Sequence, residues 1–236
     1  PISLDQARQC FKTVAGMLGE PANAMVLQDA AMADDATRGI APPRMVWVLL
    51  ETGRAPSRKE FRLDIPLFMQ QVPYVGAAFP LLEFHGDQVT TFSVEGGPQP
   101  VNASLLCDVD AVVKQQFDDA LPLVITATLV SSASKAVGTY FAQRAAGDNG
   151  WAVALGGALY QVAMNSADLR CWLTLPKQWL VARLPRPESG TLNVALGDGQ
   201  RVEGVTLPDG KLSIVYLKSV RSGTRPECRV MSLSAP

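Results

Sequence analysis

The hydrophobic period of this chain switches twice, at about residues 108 and 177. Apolar residues alternate with polar ones through much of 45–94, as they do along strands. Between the two switches they recur at helical spacing, and beyond the second they alternate again. Strands gathered on either side of a helical block predict an α+β chain, not repeated βα units around a parallel sheet. The expected order is an N-terminal helical remnant, a β-rich region, a central antiparallel helical hairpin and a small C-terminal β-sandwich. Three domains follow from that order: a repeat-like helical segment at 1–40, an α+β domain with the helical hairpin at 41–170, and a β-sandwich at 171–236.

Leu4, Ala7, Phe11, Val14 and Leu18 have helical spacing, with Gly19 and Pro21 placed to stop the helix. A second helix is expected over 22–36, with Ala24, Leu27 and Ala31 on one face. Such a pair resembles the last unit of a helical repeat, which cannot bury its own apolar face, so further repeats are expected upstream. An ordinary helical hairpin fits equally. Ala41-Pro42-Pro43 ends the helical region. Met45 to Leu50 reads as a strand covered on both faces. Phe61, Leu63, Ile65 and Leu67 share one face of another strand, after a turn at Gly53 and Pro56. Residues 77–84 and 88–94 are expected to pair through a turn at His85-Gly86-Asp87.

The helical block divides into a short helix over 108–117 and a longer one capped by Asp119, with Pro122 in its first turn. A third helix is expected over 151–166 after the loop Gly147-Asp148-Asn149-Gly150. Trp179, Val181 and Arg183 then alternate with Leu180, Ala182 and Leu184. Strict alternation at Leu192, Val194 and Leu196, the turn Pro208-Asp209-Gly210 and a last strand over 228–233 complete the expected sandwich.

Composition removes several functions. Twenty-one basic and 22 acidic residues leave a net charge of −1, so no overall positive field attracts nucleic acid or anionic lipid. One histidine, His85, leaves too few ligands for a His-based zinc site, and the four cysteines form no CxxC pair. Neither GxGxxG nor a P-loop occurs. No cofactor or metal is expected. The longest apolar stretches are broken by polar residues or glycine before the ~20 residues of a spanning helix. The chain begins at Pro1, as a processed product or fragment would.

Candidate sites are few. Ser132 and Lys135 have the Ser-x-x-Lys spacing of penicillin-recognising enzymes, but the companion motifs SDN and KTG are missing; the polar side of an amphipathic helix is the plainer reading. Asp168 and Arg170 form a candidate structural ion pair that could pin the helices to the sandwich. His85 reads as a surface turn residue. Asp34-Asp35 and Asp118-Asp119 are explained by helix ends. The glycines and alanines of 150–158 permit a membrane-inserting helical hairpin or close helix packing in water. In an oxidising compartment Cys171 and Cys228 are the candidate disulfide, since both fall in the expected sandwich; two reduced, buried thiols are the competing reading.

Three blocks, VWVLLETGRAPSRKEFRLDIPLF, VPYVGAAFPLL and ADLRCWLTLPKQWLVARLPRP, stand in the order found in one bacterial group. On them the chain resembles the C-terminal region of a family of outer-membrane lipoproteins that carry N-terminal tetratricopeptide-like repeats and have no assigned activity. The resemblance covers most of 41–220. It departs at Cys171, where a small hydroxyl residue is expected, and the lipobox cysteine is not in this sequence. The resemblance implies a periplasmic location, with the full-length form held at the outer membrane by a lipid anchor that this chain lacks. It also implies genes lying beside those for small lipoproteins of curli-type export or peptidoglycan synthase activation.

The expected function is therefore a non-enzymatic scaffold or adaptor of an envelope assembly. Its partners would be other envelope proteins or lipoproteins, or further copies of itself, with no nucleic acid and no membrane contact beyond the anchor. A peptidoglycan-acting hydrolase or synthase regulator, and a membrane-inserting helical hairpin protein, are the alternatives.

Overall fold

The computed structural model describes residues 3–17, 22–69, 72–164 and 166–233, and shows a mixed α+β chain. The chain divides into two units. The first comprises 1–54, 85–109 and 176–236, and the second 55–84 and 110–175. Both units are thus assembled from separated stretches of sequence, which corrects the expected linear division at residues 40 and 170.

The first unit is a two-sheet sandwich with a helical pair. Strand β1 (Met45–Thr52) lies at the centre of a five-stranded sheet. It pairs in parallel with β10 (Leu212–Ser219) and antiparallel with β7 (Gln178–Pro185). Strands β11 (Glu227–Leu233) and β6 (Ser104–Asp108) form the edges. The second sheet runs β5 (Val101–Asn102), β4 (Phe92–Glu95), β8 (Thr191–Leu196) and β9 (Arg201–Thr206). Alternation along each strand sends one set of side chains inward. Val46, Val48, Leu50, Leu180, Val215 and Leu217 meet Phe92, Val94, Leu192 and Val194 in a single core. The expected sandwich at 171–236 is therefore real but incomplete. Its strands β7 and β10 are separated by β1, a continuous apolar strand that comes from far upstream in the sequence.

Helices α1 (Leu4–Met17) and α2 (Ala22–Thr37) belong to this unit. The expected stop at Gly19 and Pro21 lies outside the described residues. The buried face of α2 carries Ala30 and Ala33, whereas Leu27 and Ala31 are exposed, so the buried face lies about 110° round the helix from the expected one. Arg183, on the outer face of β7, fixes α2 to the sheet. Its guanidinium donates to both Asp29 carboxylate oxygens, at 2.5 and 2.6 Å, and to the Met25 carbonyl at 3.0 Å. It also lies over the Trp47 ring, 5.4 Å from the centroid.

On the same outer face Glu51 is buried yet satisfied. Lys218 Nζ lies 2.7 Å from one carboxylate oxygen, and the Tyr216 hydroxyl donates to the other. Burial, then the neighbouring carboxylate, pushes the Tyr216 hydroxyl up to about 12. A folded-state value above the ordinary one favours the fold while the phenol is neutral. That contribution is complete below about pH 10 and is lost as pH rises through about 12. Alkaline unfolding of Tyr216→Phe is expected to lose this pH dependence, read from denaturant midpoints across that window.

Gly53, at φ +72°, takes the chain out of β1. A side chain there would also meet Gln88 Cβ at 2.7 Å and Lys177 Cβ at 2.8 Å, so glycine is required twice over. The segment 85–91 is not half of a hairpin, as expected from its turn residues. Asp87 instead gathers Arg54 and Arg221, each at 3.2 Å, and the His85 carbonyl accepts from Lys177 Nζ at 2.8 Å. Two arginines converging on one carboxylate explain why this turn-like sequence serves as a junction.

The second unit holds a two-stranded sheet and two helices. Strand β2 (Ser57–Met69) pairs with β3 (Val72–Glu83), so 77–84 pairs backward with β2 and not forward with 88–94. Helix α3 (Val109–Ala145) is one 37-residue element, not two. Pro122 sits within it: proline costs a donor and strains the turn before it, but does not end a helix held on both sides by strong formers. After a 3₁₀ turn at Gly147–Asn149, α4 (Gly150–Met164) returns against α3. A Cβ on Gly157 would lie 2.6 Å from Thr139 Cγ2, which is why the helices approach so closely there.

Candidate interaction surface

The second unit buries few large side chains among its described residues. Where burial is described, the buried positions are Ala55, Pro56, Gly76, Ala77, Ala78, Pro80, Ser132 and Gly150, with no Leu, Ile, Val or aromatic side chain among them. Phe79, Phe117, Leu121 and Val124 are half-buried, and many other large apolar side chains are exposed. Leu123 is 75% exposed, Trp151 70%, and Val130, Phe141, Leu155 and Leu159 are all more than half exposed. Scattered exposed apolar residues are ordinary on a soluble surface, but so many on one pair of helices marks a surface that something covers. In the sandwich unit, by contrast, Val46, Val48, Leu50, Val215 and Leu217 fill a core, although Leu105, Leu106, Val220 and Leu233 stay exposed.

Three stretches of the second unit, 65–82, 120–143 and 149–167, contain a single charged residue, Lys135, in a chain that is 18% charged. Charge lies at the limits of these stretches, most of it at one end. Arg58, Lys59 and Glu60 lie on β2, with Lys59 paired to Glu83. Glu60 accepts from the Ala167 amide at 2.9 Å, and Arg58 donates to the Asp168 carbonyl at 3.3 Å. These contacts join the start of the β-hairpin to the end of α4.

Asp168 and Arg170 do form an ion pair, through two bonds of 2.9 Å. The Arg170 guanidinium, with its own amide, holds the Asp168 carboxyl well below the usual range. Both side chains are exposed, at 53% and 91%, so the pair caps a local turn and cannot serve as a buried pin. His85 lies at the junction described above.

Ser132 is buried, and its hydroxyl donates to the Gly76 carbonyl at 3.0 Å. That proton is committed to the strand, so the geometry gives Ser132 a structural bond in place of the activation a nucleophile needs. The bond also accounts for a polar residue at this buried position: it meets a backbone carbonyl of β3.

All four cysteines are free. Cys171 is exposed and belongs to the second unit, while Cys228 lies on β11 of the first, where burial pushes its thiol up. The premise that both share one small domain is thereby corrected. Among the described residues no cluster of three or more His, Cys, Asp or Glu side chains could hold a metal ion.

The length of α3 and the extent of its exposure were missed in the sequence, because Pro122 and the Asp118-Asp119 pair were read as a helix start. The absence of charge in 120–134 and 149–167 was the signal that could have revealed them. Helix α3 is long and apolar enough to cross a membrane by length and composition, with 6% of its most apolar 18-residue window buried.

Comparisons with family models, with curated proteins and with solved structures gave no match.

Proposed function

We propose that this chain is a non-enzymatic module of a bacterial envelope assembly, periplasmic and associated with the outer membrane in its full-length form. The sandwich unit is the scaffold, and the second unit is the element through which it engages its surroundings. One observation carries this reading: among its described residues the second unit leaves many large apolar side chains exposed and fully buries only small residues and prolines. Such a unit gains little from folding in water alone, since burial of apolar surface is the main stabilising term. Its apolar surface is accounted for if another apolar body completes it in the working state. The three sequence blocks that resemble the lipoprotein family support the compartment.

Crosslinking in intact envelopes tests the reading. The chain is expected to be recovered joined to outer-membrane lipoproteins or other envelope proteins. Val130→Asp with Leu155→Asp is expected to lower that recovery at least tenfold while the sandwich stays folded. Recovery of the chain only as an uncrosslinked monomer, equal for wild type and variant, would overturn it.

A further inference from the structure

We infer that the body covering the second unit is the hydrocarbon of a lipid bilayer, with α3 as the spanning element and α4 beside it. This rests on the reading of that unit as the engaging element and goes further by naming what it engages.

Length comes first. The stretch 120–143 carries one charge, and at about 1.5 Å per residue it extends roughly 36 Å, against a hydrocarbon core of about 30 Å. The uncharged run 149–167 contains the whole of α4. Direction comes second. Exposed apolar side chains are not confined to one stripe of α3. Leu123, Val130 and Val137 recur at heptad spacing on one side, while Leu129 and Ile125 point roughly 100° and 140° away from them around the helix. A single partner helix would cover one of those sides. A fluid apolar medium covers both.

Polar groups give the third argument. In hydrocarbon every donor and acceptor must be satisfied within the protein. Along α3, Thr126 donates to the Pro122 carbonyl at 2.8 Å, Ser134 to Val130 at 2.8 Å and Thr139 to Lys135 at 2.9 Å. Ser132 donates to the Gly76 carbonyl of β3.

The ends agree. Tyr140, Phe141 and Trp151 gather where α3 turns into α4, beside Arg144 and Asp148, and the Arg144 guanidinium lies 3.3 Å from the Tyr140 hydroxyl. At the opposite end Phe84 and Trp172 stand exposed, with Arg58, Asp168 and Arg170. Aromatic residues at both limits of a charge-poor stretch suit the two interfaces of a bilayer.

Flotation of the full chain with phosphatidylethanolamine–phosphatidylglycerol vesicles, and separately with phosphatidylcholine vesicles, tests the inference. The chain is expected to float with both, to resist extraction by high salt, and to show tryptophan quenching by lipids brominated on the acyl chain. Trp151→Phe should remove a large part of that quenching, a conservative change that leaves the fold intact. Val130→Asp should weaken vesicle binding roughly a hundredfold. Three outcomes overturn the inference: no flotation of the wild-type chain, release of bound chain by salt alone, or lipid-independent self-association that leaves the aromatic residues unquenched. The last assigns the surface to a second copy. Failure here with crosslinking to envelope proteins retained removes the bilayer alone; loss of both removes the engaging role itself.

Discussion

Arg183→Met is expected to lower the unfolding free energy by about 3–5 kcal/mol, the range for removing one partner of a buried ion pair. The side chains of Arg183 and Asp29 are 9% and 13% exposed, so water cannot take over the carboxylate that is left behind. Asp29 has further reason to need its partner. It lies on α2, and the same guanidinium also holds the Met25 carbonyl one turn earlier and stacks on Trp47. One substitution therefore removes the polar bonds between the helical pair and β7 and a cation–π contact together. Urea unfolding should show a lower midpoint, and α1–α2 should become sensitive to protease before the sandwich does. The double variant Arg183→Met with Asp29→Leu distinguishes charge from packing. An apolar pair leaves no uncompensated carboxylate and should recover most of the loss. If the double variant is as unstable as the single, the stability lies in Arg183's packing contacts and not in the buried charge.

What could be read from the sequence follows how local each cause is. Strand alternation at Leu192, Val194 and Leu196, or at Leu180, Ala182 and Leu184, is set by neighbours two residues apart, and those strands formed as expected. The partner of each strand is not local. Nothing in 45–52 states that it lies between β7 and β10, yet that placement makes the sandwich. The Ser132 hydroxyl is a similar case. Ser-x-x-Lys is visible in sequence, but its meaning depends on Gly76, 56 residues away. The α+β class and the ion pair of Asp168 with Arg170 were legible. The boundary between the units was not, because both units are built from interleaved stretches. The apolar surface of the second unit lies between these cases. Its charge-free stretches are plain in the sequence, but helical spacing alone predicted that they would face a core, and only the fold shows how few of them do.

The same substitution is expected to act in opposite ways in the two units. Leu50 is fully buried on β1, and its registered neighbours are Leu217 on β10 and Leu180 on β7, both also inside. Three leucines side by side across the central strands leave little freedom for the surroundings to collapse. Leu50→Ala should therefore leave much of its volume as a cavity and cost about 2–5 kcal/mol, whereas Leu50→Met should cost under about 1.5 kcal/mol. Leu123→Ala, on the exposed side of α3, removes no buried contact and should change stability in water by less than about 0.5 kcal/mol. Thermal or urea unfolding of the two alanine variants measures this contrast. Vesicle binding should reverse it. Leu50→Ala, assayed where it remains folded, keeps the apolar surface of the second unit and should float as the wild type does. Leu123→Ala removes apolar surface from the side that meets lipid and should bind more weakly. If Leu123→Ala destabilised the chain in water as much as Leu50→Ala, Leu123 would be part of a core, and the surface described for α3 would not exist.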